Sequence, residues 1–554
     1  MIDYQQINME QNAILKRYLP LLNCELHTVD DLQNWLRDTS RLQEAIAETL
    51  SGHYLDYQLD LNNEQKRNIF LYDQQVVRPL LDKLGGLLTT KMLSLDFLHE
   101  LDPSQYGSYL ASKRNARTLY AVENEQRLRE EESLKADYLH LYSQPIVLWE
   151  GTATTVAEMD IWLRSADRDI RKRAWAAIQE ARRPFQDEIE SVFDSLLQVR
   201  HDIAIGAGFS NYRDYVFQSL EREYTPQELF ILHESLQHYI LPLKRHIEDE
   251  HRRALGCPDY RPWDTLGTPQ NTSPVTSSPD PHILLDQIDA VLDAVDPSFA
   301  QIFRQVRERG SYDLAARPEK AAGQFCIPLP VSRTSFLYLN LTGGPQDPMF
   351  LLHEIGHCIH QTLCHPLPLT HHKQLPNETA ELAALTMELL CFDCLDIVYP
   401  QQSKKAKRDH LINILYLLTS GGMIDSFQHW LYENPQHTPE ERAARFQTLT
   451  YAYNGILDMD GYHEEMANQW RYLRHLFQFP FYYIEYVIAQ VGALQIWYNY
   501  RQDPAGTLQR FKYALSLGRT CSVREVYEAA GVRFSFEPEA MRKIAELLEE
   551  ELKV

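Results

Sequence analysis

The stretch Asp347-Pro-Met-Phe-Leu-Leu-His-Glu-Ile-Gly-His357 decides how the rest of the chain is read. On a helix, His353 and His357 lie one turn apart and present two imidazoles on one face. Two neutral imidazoles so placed can reach a single Zn²⁺, and Glu354 projects beside them as a base for a metal-activated water. The flanks favour a helix. Asp347 is a candidate N-cap and Pro348 suits the first helical position. Met349, Phe350, Leu351 and Leu352 open an apolar run, and Pro366 and Pro368 bound it, so the zinc helix is expected over about 348–363. Upstream, Phe336-Leu-Tyr-Leu-Asn-Leu341 reads as a short strand and Gly343-Gly344-Pro345 as a turn.

A zinc site that keeps one position open needs a third protein ligand. One known pattern puts glycine at 360 and histidine at 363; this chain has His360 and Leu363 there. A glutamate on the following helix is the other common solution. Asn377-Glu-Thr-Ala-Glu-Leu-Ala-Ala-Leu-Thr-Met-Glu-Leu-Leu390 supplies such a helix, expected over about 377–392. Glu378, Glu381 and Glu388 fall on roughly one of its faces. Carboxylates in so apolar a helix are costly unless they are paired or bind metal. Spacing alone leaves both Glu378 and Glu381 open as the ligand.

With these residues the chain resembles the oligoendopeptidase F and thimet oligopeptidase family of zinc peptidases. The resemblance rests on His353-Glu-Ile-Gly-His357, on Ala380-Glu381-Leu382-Ala383, on Gly323-Gln-Phe-Cys-Ile-Pro-Leu-Pro330, and on two later segments. These are the Tyr-rich stretch from His475 to Trp497 and Phe511-Lys-Tyr-Ala-Leu-Ser-Leu-Gly518, which look most like the oligoendopeptidase F branch. The resemblance implies Glu381 as third ligand, with Glu378 and Glu388 as candidates to orient the histidines. It implies one Zn²⁺ per chain. It also implies that His475 and tyrosines of the later segment, Tyr482, Tyr483 or Tyr486, stabilise the oxyanion at the scissile carbonyl. The thimet branch has a tyrosine five residues after its histidine, where this chain has Pro480. The implied fold is mainly α, a two-lobed helical body with a deep substrate channel and a small β-sheet beside the zinc helix. The implied activity is a zinc-dependent endopeptidase that hydrolyses short, unfolded oligopeptides.

Composition agrees. The 554 residues carry a net charge of −23, which argues against a nucleic-acid ligand. No apolar run is long enough to span a membrane, and the N-terminal Met-Ile-Asp-Tyr-Gln-Gln-Ile has no secretion signal, so a cytoplasmic enzyme, monomer or homodimer, is expected. The eight cysteines are scattered, and Cys391-Phe-Asp-Cys394 reads as packing rather than as a metal or redox pair. An N-terminal helical region is expected over 1–150 and a catalytic region over 151–554. Leu32, Trp35, Leu36, Leu42 and Ile46, and then Leu80, Leu81, Leu84, Leu87 and Leu88, show helical spacing. Residues 115–140 read as one long charged helix, Pro145–Gly151 as a strand and turn, and 265–282 as a flexible loop. Arg164, Arg168, Arg171 and Arg173 are expected on exposed faces, and Phe477, Phe479 and Phe481 in the core. Two other readings are a metallocarboxypeptidase of similar helical fold and a non-catalytic peptide-binding protein. The first has no evident cationic marker for a free carboxylate, and the second is disfavoured by the joint presence of His353, Glu354, His357 and Glu381.

Overall fold

The apolar spacing at Leu32, Trp35, Leu36 and Ile46 is realised in a helix over Val29–Leu59, where all four are buried. Thr28 and Asp31 start it with a capping box, each side chain satisfying the other's backbone N–H. In the second leucine run, Leu84 and Leu88 reach the same core, whereas Leu87 is 47% exposed. A helix face of about 100° has room for only part of so dense a run. This computed structural model describes residues 4–270, 272, 275–278 and 280–553. Met1-Ile2-Asp3 of the N-terminal reading and Asn271, Ser273, Pro274 and Pro279 of the expected loop lie outside the described residues.

The chain forms two compact units, each assembled from three stretches. One comprises Met1–Arg117, Val275–Lys407 and Gly492–Phe534; the other comprises Thr118–Pro274, Arg408–Val491 and Ser535–Val554. Contiguous ranges such as 1–150 and 151–554 do not describe this interleaving. Both units are predominantly helical, and among the described residues no helix is long and apolar enough to cross a membrane.

Two small sheets accompany the helices. In the second unit, the strand and turn expected over Pro145–Gly151 are β1 (Ile146–Trp149) and its turn, and the chain continues into β2 (Thr152–Thr155), which pairs antiparallel with β1 as a hairpin. In the first unit, β3 (Tyr312–Ala315), β4 (Phe325–Leu329) and β5 (Thr334–Leu341) form a sheet in the order β3-β5-β4. The central strand β5 runs parallel to β3 and antiparallel to β4. Its residues from Thr334 to Leu339 are all buried, as befits a strand covered on both faces. Pro328 is accommodated in β4 because that strand pairs on one side only. From β5 the chain turns through Gly343, whose φ of +78° suits a residue without Cβ. It then enters the helix Asp347–Cys364.

Three readings need correction. The expected 115–140 helix is two helices, Pro103–Leu119 and Asn124–Ser143. The buried Asn124 side chain donates to the carbonyl of Ile203, so a tertiary contact anchors the second helix at its own start. Arg171 is not on an exposed face. It is 1% exposed and donates to Asp264, itself fully buried, and to the carbonyl of Trp263. Asp347 does not cap its helix from outside. It is the first helical residue, and its Oδ2 accepts from the N–H groups of Thr342, Gly343 and Gly344, fastening the preceding turn instead.

Candidate active site

Two helices of the first unit build the site. The helix Asp347–Cys364 carries His353 and His357, whose ring centroids lie 4.9 Å apart at 87°. The helix Asn377–Leu390 packs against it and brings Glu381 Oε2 to 3.4 Å from His353 Nε2 and 4.0 Å from His357 Nε2. These ligand atoms all lie within 4.8 Å of one another. Zinc bonds of about 2.0–2.2 Å in a tetrahedron place ligand atoms roughly 3.3–3.6 Å apart. The observed triangle therefore fits such an ion after a small side-chain adjustment. Two imidazole nitrogens and one carboxylate oxygen are a donor set suited to zinc. The imidazoles keep 17% and 20% of their surface exposed, which leaves an approach for a further ligand.

The close approach of the two helices depends on Gly356. A Cβ there would stand 2.6 Å from Cα of Ala384 and 2.9 Å from the carbonyl oxygen of Ala383. Both are backbone atoms and cannot rotate aside. Gly356→Ala would gain about 1 kcal/mol of helix propensity. It would lose about 1–3 kcal/mol to overpacking, which should win because the helices must separate. We expect a lower Tm together with weaker zinc binding in a metal titration. A variant unchanged in both would refute the argument from close approach.

Around the triangle lie further carboxylates. Glu388 Oε1 sits 2.7 Å from His353 Nδ1, which turns Nε2 of that ring toward Glu381. Glu378 is buried in the first turn of its helix, where the helix dipole favours negative charge, and its carbonyl accepts from the Tyr527 hydroxyl. Glu354 is 3% exposed, and its Oε2 has no hydrogen-bond partner. Protein groups alone set these acidities as follows. Burial pushes the Glu354 carboxyl up to about 7; His353 opposes this, and Glu381 and Glu388 add to it. Burial works against charge on His353, but the Glu381 and Glu388 carboxylates outweigh it and hold that ring well above its usual range. Burial takes His357 down to about 4, so that ring is neutral and a ready donor.

The remaining predicted residues come together in the second unit. The His475 ring lies 5.9 Å from Tyr482 in a near-parallel stack, 5.0 Å edge-on to Tyr483 and 6.3 Å from Tyr486. Tyr486 in turn lies 5.1 Å from Tyr482 and 6.0 Å from Tyr483. Tyr482 stands in the turn before the helix Tyr483–Gln502, yet still meets Tyr486 as a helical neighbour would. Phe477 and Phe481 are core residues as expected, but Phe479 is 59% exposed. Cys391 is buried and its thiol is pushed up by burial, in keeping with packing.

Several solved structures share this fold. PZ peptidase A with inhibitor 2 superposes with a TM-score of 0.91 at 22% identity, covering 100% of this chain and 98% of that one. A protein of Bacillus anthracis str. Ames described as an oligoendopeptidase F gives 0.84 at 20% identity, covering 100% and 97%. Oligoendopeptidase-F from Enterococcus faecium gives 0.64 at 15% identity, covering 98% and 96%. At these identities the likeness concerns the fold. No curated protein matches the chain by sequence. Residues 161–546, well over half the chain and including both histidines and Glu381, match the model of Peptidase family M3, and the chain accordingly belongs to that family as a metalloendopeptidase.

Proposed function

We propose that this metalloendopeptidase hydrolyses internal bonds of short, unfolded oligopeptides with one Zn²⁺ held by His353, His357 and Glu381. The observation that carries this reading is the triangle of His353, His357 and Glu381 beside a buried carboxylate, Glu354, that has an unpartnered oxygen. Bound zinc would supply Lewis-acid activation of water and of the scissile carbonyl. Glu354 takes a proton from the attacking water and returns it to the leaving amine, a role suited to a carboxylate of raised basicity. Glu388 holds His353 in the orientation that presents Nε2. The His475, Tyr482, Tyr483 and Tyr486 group offers hydrogen-bond donors for the developing oxyanion. An acidic chain with eight scattered thiols suits a reducing cytoplasm.

The test is an end-blocked, internally quenched peptide of about ten residues, a length that spans a peptidase cleft of ordinary size. Internal cleavage that a zinc chelator abolishes and added zinc restores is the expected result. An intact end-blocked peptide, alongside trimming of a free-ended one, would favour the carboxypeptidase reading instead.

A further inference from the structure

The loop that joins His475 to Tyr482 is held by side chains from distant parts of the second unit. Phe481 has φ +64°, a left-handed conformation that a bulky aromatic residue rarely adopts. Its backbone is secured on both sides. The N–H donates to Gln428 Oε1 at 2.6 Å, and the carbonyl accepts from Arg222 Nη2. The Arg222 side chain is fully buried and is paired with Glu485 at 2.6 Å, in the first turn of the helix that carries Tyr483 and Tyr486. The Phe481 ring is itself fully buried, against Phe217, His429 and Tyr432. At the start of the loop a second buried arginine, Arg200, donates to the carbonyls of Leu476 and Phe477 while paired with Glu131.

Two buried ion pairs and a buried amide thus act on the backbone of Leu476, Phe477 and Phe481. Ion pairs of this kind add little stability over apolar packing, so their use here points to geometry. Strained backbone that its surroundings over-determine clusters at functional sites. What this loop fixes is the placement of His475 against Tyr482, Tyr483 and Tyr486.

We propose that Arg222 and Gln428 are positioning residues for the reaction: they lock the left-handed turn at Phe481 and thereby aim the His475 and tyrosine group. Arg200 steadies the same loop at its entrance. This rests on the reading of that group as the oxyanion donor.

The test is a coupling measurement on the full-length zinc enzyme with the end-blocked peptide. The first variant is Arg222→Met with Glu485→Gln, which avoids a bare buried carboxylate. The second is Gln428→Leu, of similar volume, which keeps the proposal testable if the first does not fold. Each should retain stoichiometric zinc and show kcat reduced by about 10–100-fold, the scale expected for a misplacement near 1 Å. In a His475→Ala/Tyr482→Phe/Tyr483→Phe/Tyr486→Phe background the same changes should cost less than about 2-fold, because no donor of the group is left to aim. An equal loss in both backgrounds would mark a merely structural role and overturn the proposal. A different result, full activity of the His475, Tyr482, Tyr483 and Tyr486 variants in a zinc-loaded chain, would remove the parent reading and this one with it.

Discussion

Glu354→Gln should keep a full complement of bound zinc and lose hydrolysis of the end-blocked peptide by about 10²–10⁴-fold in kcat, the usual contribution of a general base. At about 1.4 kcal/mol per decade, that is roughly 3–5 kcal/mol of transition-state stabilisation. Glutamine has the same shape, so the helix and the triangle of His353, His357 and Glu381 are undisturbed; what disappears is the ability to accept a proton. The structure gives two reasons to expect a large effect. Glu354 Oε2 has no protein partner to occupy it, and burial lifts the carboxyl to about 7, so its conjugate base is strong enough to take a proton yet is present near neutral pH. The same substitution has a second readout. A buried ionised carboxylate is costly, and a neutral amide removes that cost, so Tm should hold or rise while activity falls. A residue kept only for structure would behave oppositely, with activity intact and Tm lowered. Retained turnover in the zinc-loaded variant would therefore take the base away from Glu354 altogether.

The parts of this molecule that were legible in its sequence are those with local causes. His353, Glu354 and His357 sit within one and a half turns of one helix, and the turn glycines, Pro348 and the apolar run announce that helix from its own residues. The strand read over Phe336–Leu341, which begins two residues earlier at Thr334, and the strand and turn over Pro145–Gly151 were legible for the same reason. Long-range causes were not. Nothing near Arg171 signals that Asp264 and the Trp263 carbonyl will draw it inside. Nothing near Tyr120 announces a helix break secured by Asn124 on Ile203. Phe481 is the clearest instance, because a left-handed turn without glycine or asparagine leaves no trace in composition, and the groups that hold it, Gln428 and Arg222, lie 53 and 259 residues away. The choice between Glu378 and Glu381 was an intermediate case. Both are buried and both fit a helix face; only the approach of the second helix, permitted by Gly356, puts the Oε2 of Glu381 within 4.0 Å of both imidazoles.

That difference gives the second large effect. Glu381→Ala should abolish stoichiometric zinc and, with it, chelator-sensitive hydrolysis. Removing a hydrogen-bond partner of a metal ligand typically costs about 10–100-fold in metal affinity. Removing a ligand itself must cost more, because the ion loses a direct bond and the only anionic donor among the three. In the metal-free chain His353 would change as well: the Glu381 carboxylate is the first of the two that raise the pKa of its ring against burial, so without it the imidazole should titrate lower. Glu378→Ala supplies the contrast. Its buried carboxylate lies in the first turn of the same helix, so its loss should be felt through Tm, with zinc content near one per chain and kcat changed far less. Zinc content after dialysis, kcat and the zinc-induced rise in Tm separate the two variants. A ligand that binds only the folded chain stabilises it in proportion to RT ln(1 + [L]/Kd), so the wild type and Glu378→Ala should gain Tm with added zinc and Glu381→Ala should not. Zinc retained at one per chain in Glu381→Ala and lost in Glu378→Ala would reverse the assignment, and the metal would then have to sit nearer the start of the helix, away from the triangle that the two histidines and Glu381 now form.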